Sequence, residues 1–180
     1  MTEAKGREIN ADVIDEDADD EDAQKDRYLT FKTGDEDFGI DIASVIEIIG
    51  LQKITAVPDM PDFIKGVINL RGKVIPVLDV RSRFRLPAIE YNERSCVIVV
   101  SIKDLNIGLL VDAVREVMNI PAANLSSAHN ISGKGHGRFV RAMGRVGDDV
   151  KIILDLEKLL KENEMAWLSE AGSAQAPGGG

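Results

Sequence analysis

Gly39-Ile40-Asp41-Ile42-Ala43-Ser44-Val45-Ile46-Glu47-Ile48 and Gly108-Leu109-Leu110-Val111-Asp112-Ala113-Val114-Arg115-Glu116-Val117 are two copies of one pattern. The offset is constant. Gly39 falls on Gly108, Ile42 on Val111, Val45 on Val114 and Glu47 on Glu116. A second pair follows: Val74-Ile75-Pro76-Val77-Leu78-Asp79-Val80 matches Val150-Lys151-Ile152-Ile153-Leu154-Asp155-Leu156. The chain therefore reads as two related halves that meet at a seam. A seam is a natural place to hold a partner, because clefts form where two units meet.

The segments around these copies read as short strands. Tyr28–Lys32 alternates apolar and polar, Gly34-Asp35-Glu36-Asp37 has turn chemistry, and Phe38-Gly39-Ile40 returns. Asp41–Ser44 reads as one helical turn before Val45–Ile49. Gly66–Leu70 and Lys73–Asp79 flank a tight Arg71-Gly72 turn, and Pro76 predicts an edge position or a bulge, since proline lacks the ladder donor. The second half repeats the scheme: Ser95–Ile102, a Lys103-Asp104 turn, Ile107–Val111, Val114–Ile120, Phe139–Val146, a Gly147-Asp148 turn and Val150–Asp155. Strands at this spacing suggest small barrels. Leu156, Leu159, Leu160, Trp167 and Leu168 then show helical spacing, which predicts a closing amphipathic helix.

Composition narrows the function classes. The chain has 180 residues, 44% apolar but only 4% aromatic, so Val, Ile and Leu must fill the core. The single cysteine, Cys96, excludes an intrachain disulfide and a multi-cysteine metal site. No apolar run is long enough to span a bilayer, and the acidic N-terminus has no secretory h-region, so the reading is cytoplasmic, without membrane insertion. Residues 1–27 carry 11 Asp and Glu against 4 Lys and Arg. Such a run self-repels and is read as a disordered tail, with residues 28–168 folded and the small, Gly-rich 169–180 a second loose tail. No basic stripe interleaved with aromatics is present, so no nucleic-acid partner is expected. Gly133-Lys134-Gly135-His136-Gly137 lacks phosphate-loop spacing. His129 and His136 lack a third ligand for a metal. No nucleophile–base set is visible, so neither catalytic residues nor a cofactor are expected.

The stretch Phe63-Ile64-Lys65-Gly66-Val67-Ile68-Asn69-Leu70-Arg71-Gly72-Lys73-Val74-Ile75-Pro76-Val77-Leu78-Asp79-Val80-Arg81 resembles, without a break, the signature of CheW-type chemotaxis coupling proteins. Gly34–Ile40, Val45–Ile48 and Leu156–Leu160 agree with the same family, and the resemblance covers roughly residues 28–168. It implies a mainly β fold: two SH3-like five-stranded barrels, interleaved in sequence, packed on a shared core with short helices. It implies a non-catalytic adaptor that joins methyl-accepting chemoreceptor tips to the regulatory domain of the histidine kinase CheA, recruited to membrane-associated receptor arrays. The receptor helices are expected in the groove between the barrels.

The repeat ranks residues within that reading. Positions kept in both halves serve the shared fold. Gly39 and Gly108 are read as backbone requirements, and Asp79 and Asp155 as caps for the turns that follow. Asn69-Leu70-Arg71-Gly72 falls on Arg145-Val146-Gly147-Asp148, so Arg71 has no counterpart and becomes the first functional candidate. The resemblance pairs Arg71 with Glu47. Val45 is expected on the same strand face as Glu47, by period two, as an apolar contact. Asn69 and Gly66 complete the expected partner-binding set. The competing class is a small enzyme or ligand-binding barrel using the groove as a pocket. An adaptor of a non-flagellar chemosensory pathway is the variant within the first class.

Overall fold

A computed structural model describes residues 24–127 and 137–161, together with Glu164 and Leu168. The expected tails lie largely outside these residues, as do His129, His136 and Trp167.

Eleven strands form two sheets. In chain order they are β1 Arg27–Thr33, β2 Glu36–Asp41, β3 Val45–Gly50, β4 Ile64–Leu70, β5 Lys73–Asp79, β6 Cys96–Ile102, β7 Leu105–Val111, β8 Ala113–Asn119, β9 Leu125–Ser127, β10 Val140–Val146 and β11 Asp149–Leu154. The first sheet has the order β8-β1-β2-β11-β10-β9 and the second β3-β6-β7-β5-β4. The two orders are the same walk through equivalent strands. Registers agree with the sequence repeat: Gly39 pairs with Ile153 across the parallel β2–β11 ladder, and Gly108 pairs with Val77 across the parallel β7–β5 ladder. β4 and β10 show one burial pattern residue for residue, and each slips register at its start, between Ile64 and Gly66 and between Val140 and Ala142.

Apolar alternation builds three cores. Ile68, Ile75, Val77, Val97, Val99 and Leu110 fill the second sheet's own interior. Tyr28, Ile120, Ala142 and Ile153 fill that of the first. Between the sheets lies the largest cluster, to which Leu29, Phe31, Phe38 and Ile40 contribute from one side and Ile98, Val100, Ile107 and Leu109 from the other. The β6 run Val97–Val100 was expected at the contact between the halves. Ile98 and Val100 are there, while Val97 and Val99 face the second sheet's interior, because successive strand residues point to opposite faces. Phe31, Phe38, Phe84 and Phe139 stack in a chain through this core with centroids 5.1–5.8 Å apart.

The glycines of the repeat are explained by space. A Cβ on Gly39 would lie 2.8 Å from Ile153 Cδ1, and one on Gly108 would lie 2.6 Å from Val97 Cγ1. The caps are present: Asp79 Oδ1 accepts from the Arg81 backbone N–H at 3.0 Å and Asp155 Oδ1 from Glu157 N–H at 3.1 Å. Asp41 caps the 3-10 turn Ile42–Ser44 in the same way.

Two expectations change. Of the two readings of Pro76 the edge fails, since β5 lies between β4 and β7, while a register shift does lie beside it, between Ile64 and Gly66 of the paired β4; the parallel ladder to β7 begins only at Val77, so the missing proline N–H leaves no gap in it. The closing segment starts as a 3-10 helix, Leu156–Leu159, and not as an α-helix. Its apolar spacing is nevertheless used: Leu156, Leu159, Leu160 and Leu168 are all buried in the core between the sheets. Arg83 anchors this end, donating from Nε to the Leu159 carbonyl at 2.8 Å while its guanidinium lies 4.1 Å from the Phe63 ring centroid.

Candidate functional site

The β4–β5 hairpin turns through two residues, Arg71 at φ +51° and Gly72 at φ +84°. Positive φ at both central positions is the type I′ geometry that matches the twist of the flanking strands. Glycine adopts it freely; arginine does not. Asn69 supports the turn by accepting the Gly72 N–H on Oδ1 at 2.9 Å. So braced, Arg71 projects toward β3 and forks onto Glu47: Nη1 to Oε1 at 2.6 Å and Nη2 to Oε2 at 2.9 Å. The bidentate geometry fixes the planes of both groups. The arginine side chain is 75% exposed and the glutamate 23%. The Arg71 hydrogen bonds hold the Glu47 carboxyl below its ordinary range, and the carboxylate raises the guanidinium in return.

β3 and β4 are the two ends of the second sheet, so this pair bridges its edges. A second bridge lies beyond β3. Thr55 N–H donates to the Val67 carbonyl at 2.8 Å and Val67 N–H to the Thr55 carbonyl at 2.9 Å. Gly66 makes that approach possible. It sits at φ +150°, and a Cβ there would fall 2.1 Å from the Thr55 carbonyl oxygen.

The expected residues are thus divided. Arg71, Glu47 and Asn69 come together at the exposed hairpin. Gly66 is buried beneath Thr55 and presents no surface to a partner. Val45 does not share a face with Glu47. A bulge shifts the β3–β6 register between them, so Val45 pairs with Val100 and packs on the core between the sheets, whereas Glu47 pairs with Val99 on the opposite face. One extra residue in a strand reverses the alternation on which the period-two expectation rested. The exposed apolar groups near Glu47 are instead Ile46, Ile48 and Leu51, 43–49% accessible. Ile46 and Ile48 take the exposed positions of the alternating β3 pattern, and Leu51 follows just beyond the strand.

Sequence reasoning also missed a polar cluster at the end of β5. Asp79 accepts the Tyr91 phenol on the same oxygen that caps Arg81, and burial followed by this bond pushes the phenol far above its ordinary value. Arg81 clamps Asp112 through Nε at 2.9 Å and Nη2 at 2.8 Å. Among the described residues no three His, Cys, Asp or Glu side chains are placed to hold a metal ion, and no helix is long and apolar enough to cross a membrane.

The profile of the CheW-like domain matches residues 27–164. The chain belongs to the CheW-like family. Its CheW relatives include the chemotaxis protein CheW of Klebsiella aerogenes, 37% identical over 82% of this chain and 89% of that protein. The probable chemotaxis protein CheW of Rhizobium etli is 34% identical over 78% of this chain and 92% of its own length. Among solved structures, the scaffolding protein TtCheW of Thermoanaerobacter tengcongensis superposes with a TM-score of 0.72 at 34% identity, covering 77% of this chain and 94% of that one. The family match, the identity to the CheW relatives and the superposition support a CheW-like chemotaxis adaptor of two β subdomains.

Proposed function

We propose that this chain couples chemoreceptor cytoplasmic tips to the regulatory domain of the histidine kinase CheA, without catalysis of its own, and works in the cytoplasm at membrane-associated receptor arrays. One observation carries the reading. The hairpin tip that differs between the two halves holds an exposed, bidentate Arg71–Glu47 pair. A preset charge pair at an exposed tip suits docking of a receptor helix, because it fixes register and partner choice. Asn69 sets the turn, Gly66 and Thr55 hold the sheet edges, and Val45 anchors β3 from beneath. Each contact in such an assembly is modest, and multiplicity supplies its strength.

The test is autophosphorylation of the cognate kinase with receptor cytoplasmic fragments, with and without this protein. The native chain is expected to stimulate the kinase strongly and Arg71→Glu to do so weakly while keeping its melting temperature. No stimulation by the native chain would refute the coupling role. A large loss of stability in Arg71→Glu would make that arginine structural.

A further inference from the structure

The internal repeat allows two corners of the seam to be compared position by position. At the first corner the end of β5 meets the β1–β2 turn and the β7–β8 junction. Arg81 clamps Asp112, and Asp112 Oδ2 also accepts the Gly34 N–H at 2.9 Å. Lys65 Nζ stands 3.6 Å from Asp79. The corner is plugged by an arginine of the chain itself, which ties one sheet to the other.

The same offsets carry Asp79 onto Asp155, Lys65 onto Arg141, Gly34 onto Lys103, Arg81 onto Glu157 and Asp112 onto Ala43. At this second corner the cap survives, with Asp155 accepting from Glu157 N–H. The plug does not. A glutamate stands where the arginine was and an alanine where its carboxylate partner was. In place of the plug is a cavity of about 210 Å3 between the sheets, lined among others by Asp41, Ser101, Lys103, Arg141, Asp155 and Glu157. That is about seven water volumes, room for one long side chain.

The polar groups around the cavity are unevenly matched. Among the described residues no lysine or arginine nitrogen lies within 4 Å of the Asp41 or Glu157 carboxylate, and Asp155 has only Lys158 at 4.0 Å. Arg141 is engaged elsewhere, donating from Nη2 to the Tyr28 hydroxyl at 2.9 Å. Three carboxylates thus line the space against two cations. At the equivalent corner the space is filled by a guanidinium held on Asp112, and its planar fork suits carboxylates better than a point charge does.

We propose that the open corner receives the guanidinium of an arginine side chain presented by a partner protein, in the place that Arg81 fills from within the chain at the other corner. Glu157 and Asp41 accept its N–H groups, Asp155 adds negative charge, and the side chain spans the seam. The site is separate from the Arg71–Glu47 hairpin and does not depend on the receptor reading.

The experiment is a heteronuclear NMR titration of the full chain with N-acetyl-arginine amide and with its neutral isostere, N-acetyl-citrulline amide. The arginine probe is expected to give saturable shifts at Ser101, Lys103 and residues 154–157, with a Kd of about 1 mM, and the citrulline probe none. Glu157→Gln should weaken binding about fivefold or more. The pair Ala43→Asp with Glu157→Arg rebuilds the plug, and it should abolish binding and raise the melting temperature. Equal shifts from both probes, unsaturable shifts spread over the acidic surface, or undiminished binding by either folded variant would overturn the proposal. Free L-arginine binding more than about tenfold tighter than the capped amide would assign the corner to the free amino acid and overturn the partner's side chain as occupant.

Discussion

The β4–β5 and β10–β11 hairpins are the same structure up to their last two residues. β4 and β10 share one burial pattern, and the two hairpins share bulge position and an equivalent parallel neighbour. Their tips do not. One carries Arg71 at positive φ, locked onto Glu47 and braced by Asn69; the other carries Gly147 at φ +61° followed by Asp148, with no corresponding clamp on Glu116 among the described residues. The Glu116 backbone is instead bonded by Thr30 Oγ1 at the β1–β8 bulge. Strand interiors must satisfy packing on both faces and change together. A tip touches little, so the two copies are free to differ there.

Several substitutions test how far the two halves are independent. The largest effect is expected from Phe84→Ala. Phe84 lies in the ring chain between the sheets, so its loss should cost about 4 kcal/mol and lower the stability of both halves in a single unfolding transition, read by denaturation and hydrogen exchange. Separate transitions would show that the core between the sheets is dispensable to one half. Gly66→Ala comes next, at about 3 kcal/mol, because the new methyl meets the Thr55 backbone at a φ that alanine resists. Its equivalent, Ala142, already carries that methyl; Ala142→Gly should cost only about 1 kcal/mol. Equal costs would mean that the Thr55 approach is not special. Asn69→Ala removes the acceptor for Gly72 and should cost about 1 kcal/mol, with a larger proportional loss of kinase stimulation than of stability.

The smallest stability effect belongs to the ion pair itself. Glu47 has its folded pKa lowered, so its contribution is present above the ordinary carboxylate range and fades as pH falls through the lowered value. The pair is exposed and screened, so the change in melting temperature should be slight. The NMR titration of Glu47 should nevertheless lie below the ordinary carboxylate range, and Arg71→Ala should return it there. An unchanged Glu47 titration in that variant would show that the clamp is not held in solution.

Much of this was legible in the sequence. Strand positions, both repeat offsets and the Asp79 and Asp155 caps follow from local chemistry, and the family signature indicated the Arg71–Glu47 pair. What failed depended on events between strands. The β3 bulge reversed Val45 relative to Glu47, and no local pattern records an extra residue in one strand of a pair. Gly66 is named in the expected partner-binding set, whereas in the fold it admits the Thr55 backbone, twelve residues removed from Val67 in the chain. β9 is three residues long and largely exposed, so it leaves no apolar alternation to detect. The Tyr91–Asp79 bond joins a loop to a strand end and has no periodicity.

The order in which strands enter the two sheets also bears on how the chain is made. β3 to β7 are consecutive, so every strand of the second sheet has left the ribosome once Val111 emerges. The first sheet takes β1 and β2 from the start of the chain and waits for β8 to β11. Until β11 arrives, the β1–β2 hairpin has no parallel neighbour for Phe38 and Gly39, and Phe31 and Phe38 lack the covering that Phe139 and the final leucines provide. The order of the strands thus lets the second sheet be complete while the β1–β2 hairpin still has an unpaired edge, and exposed edges of that kind favour misassembly during synthesis.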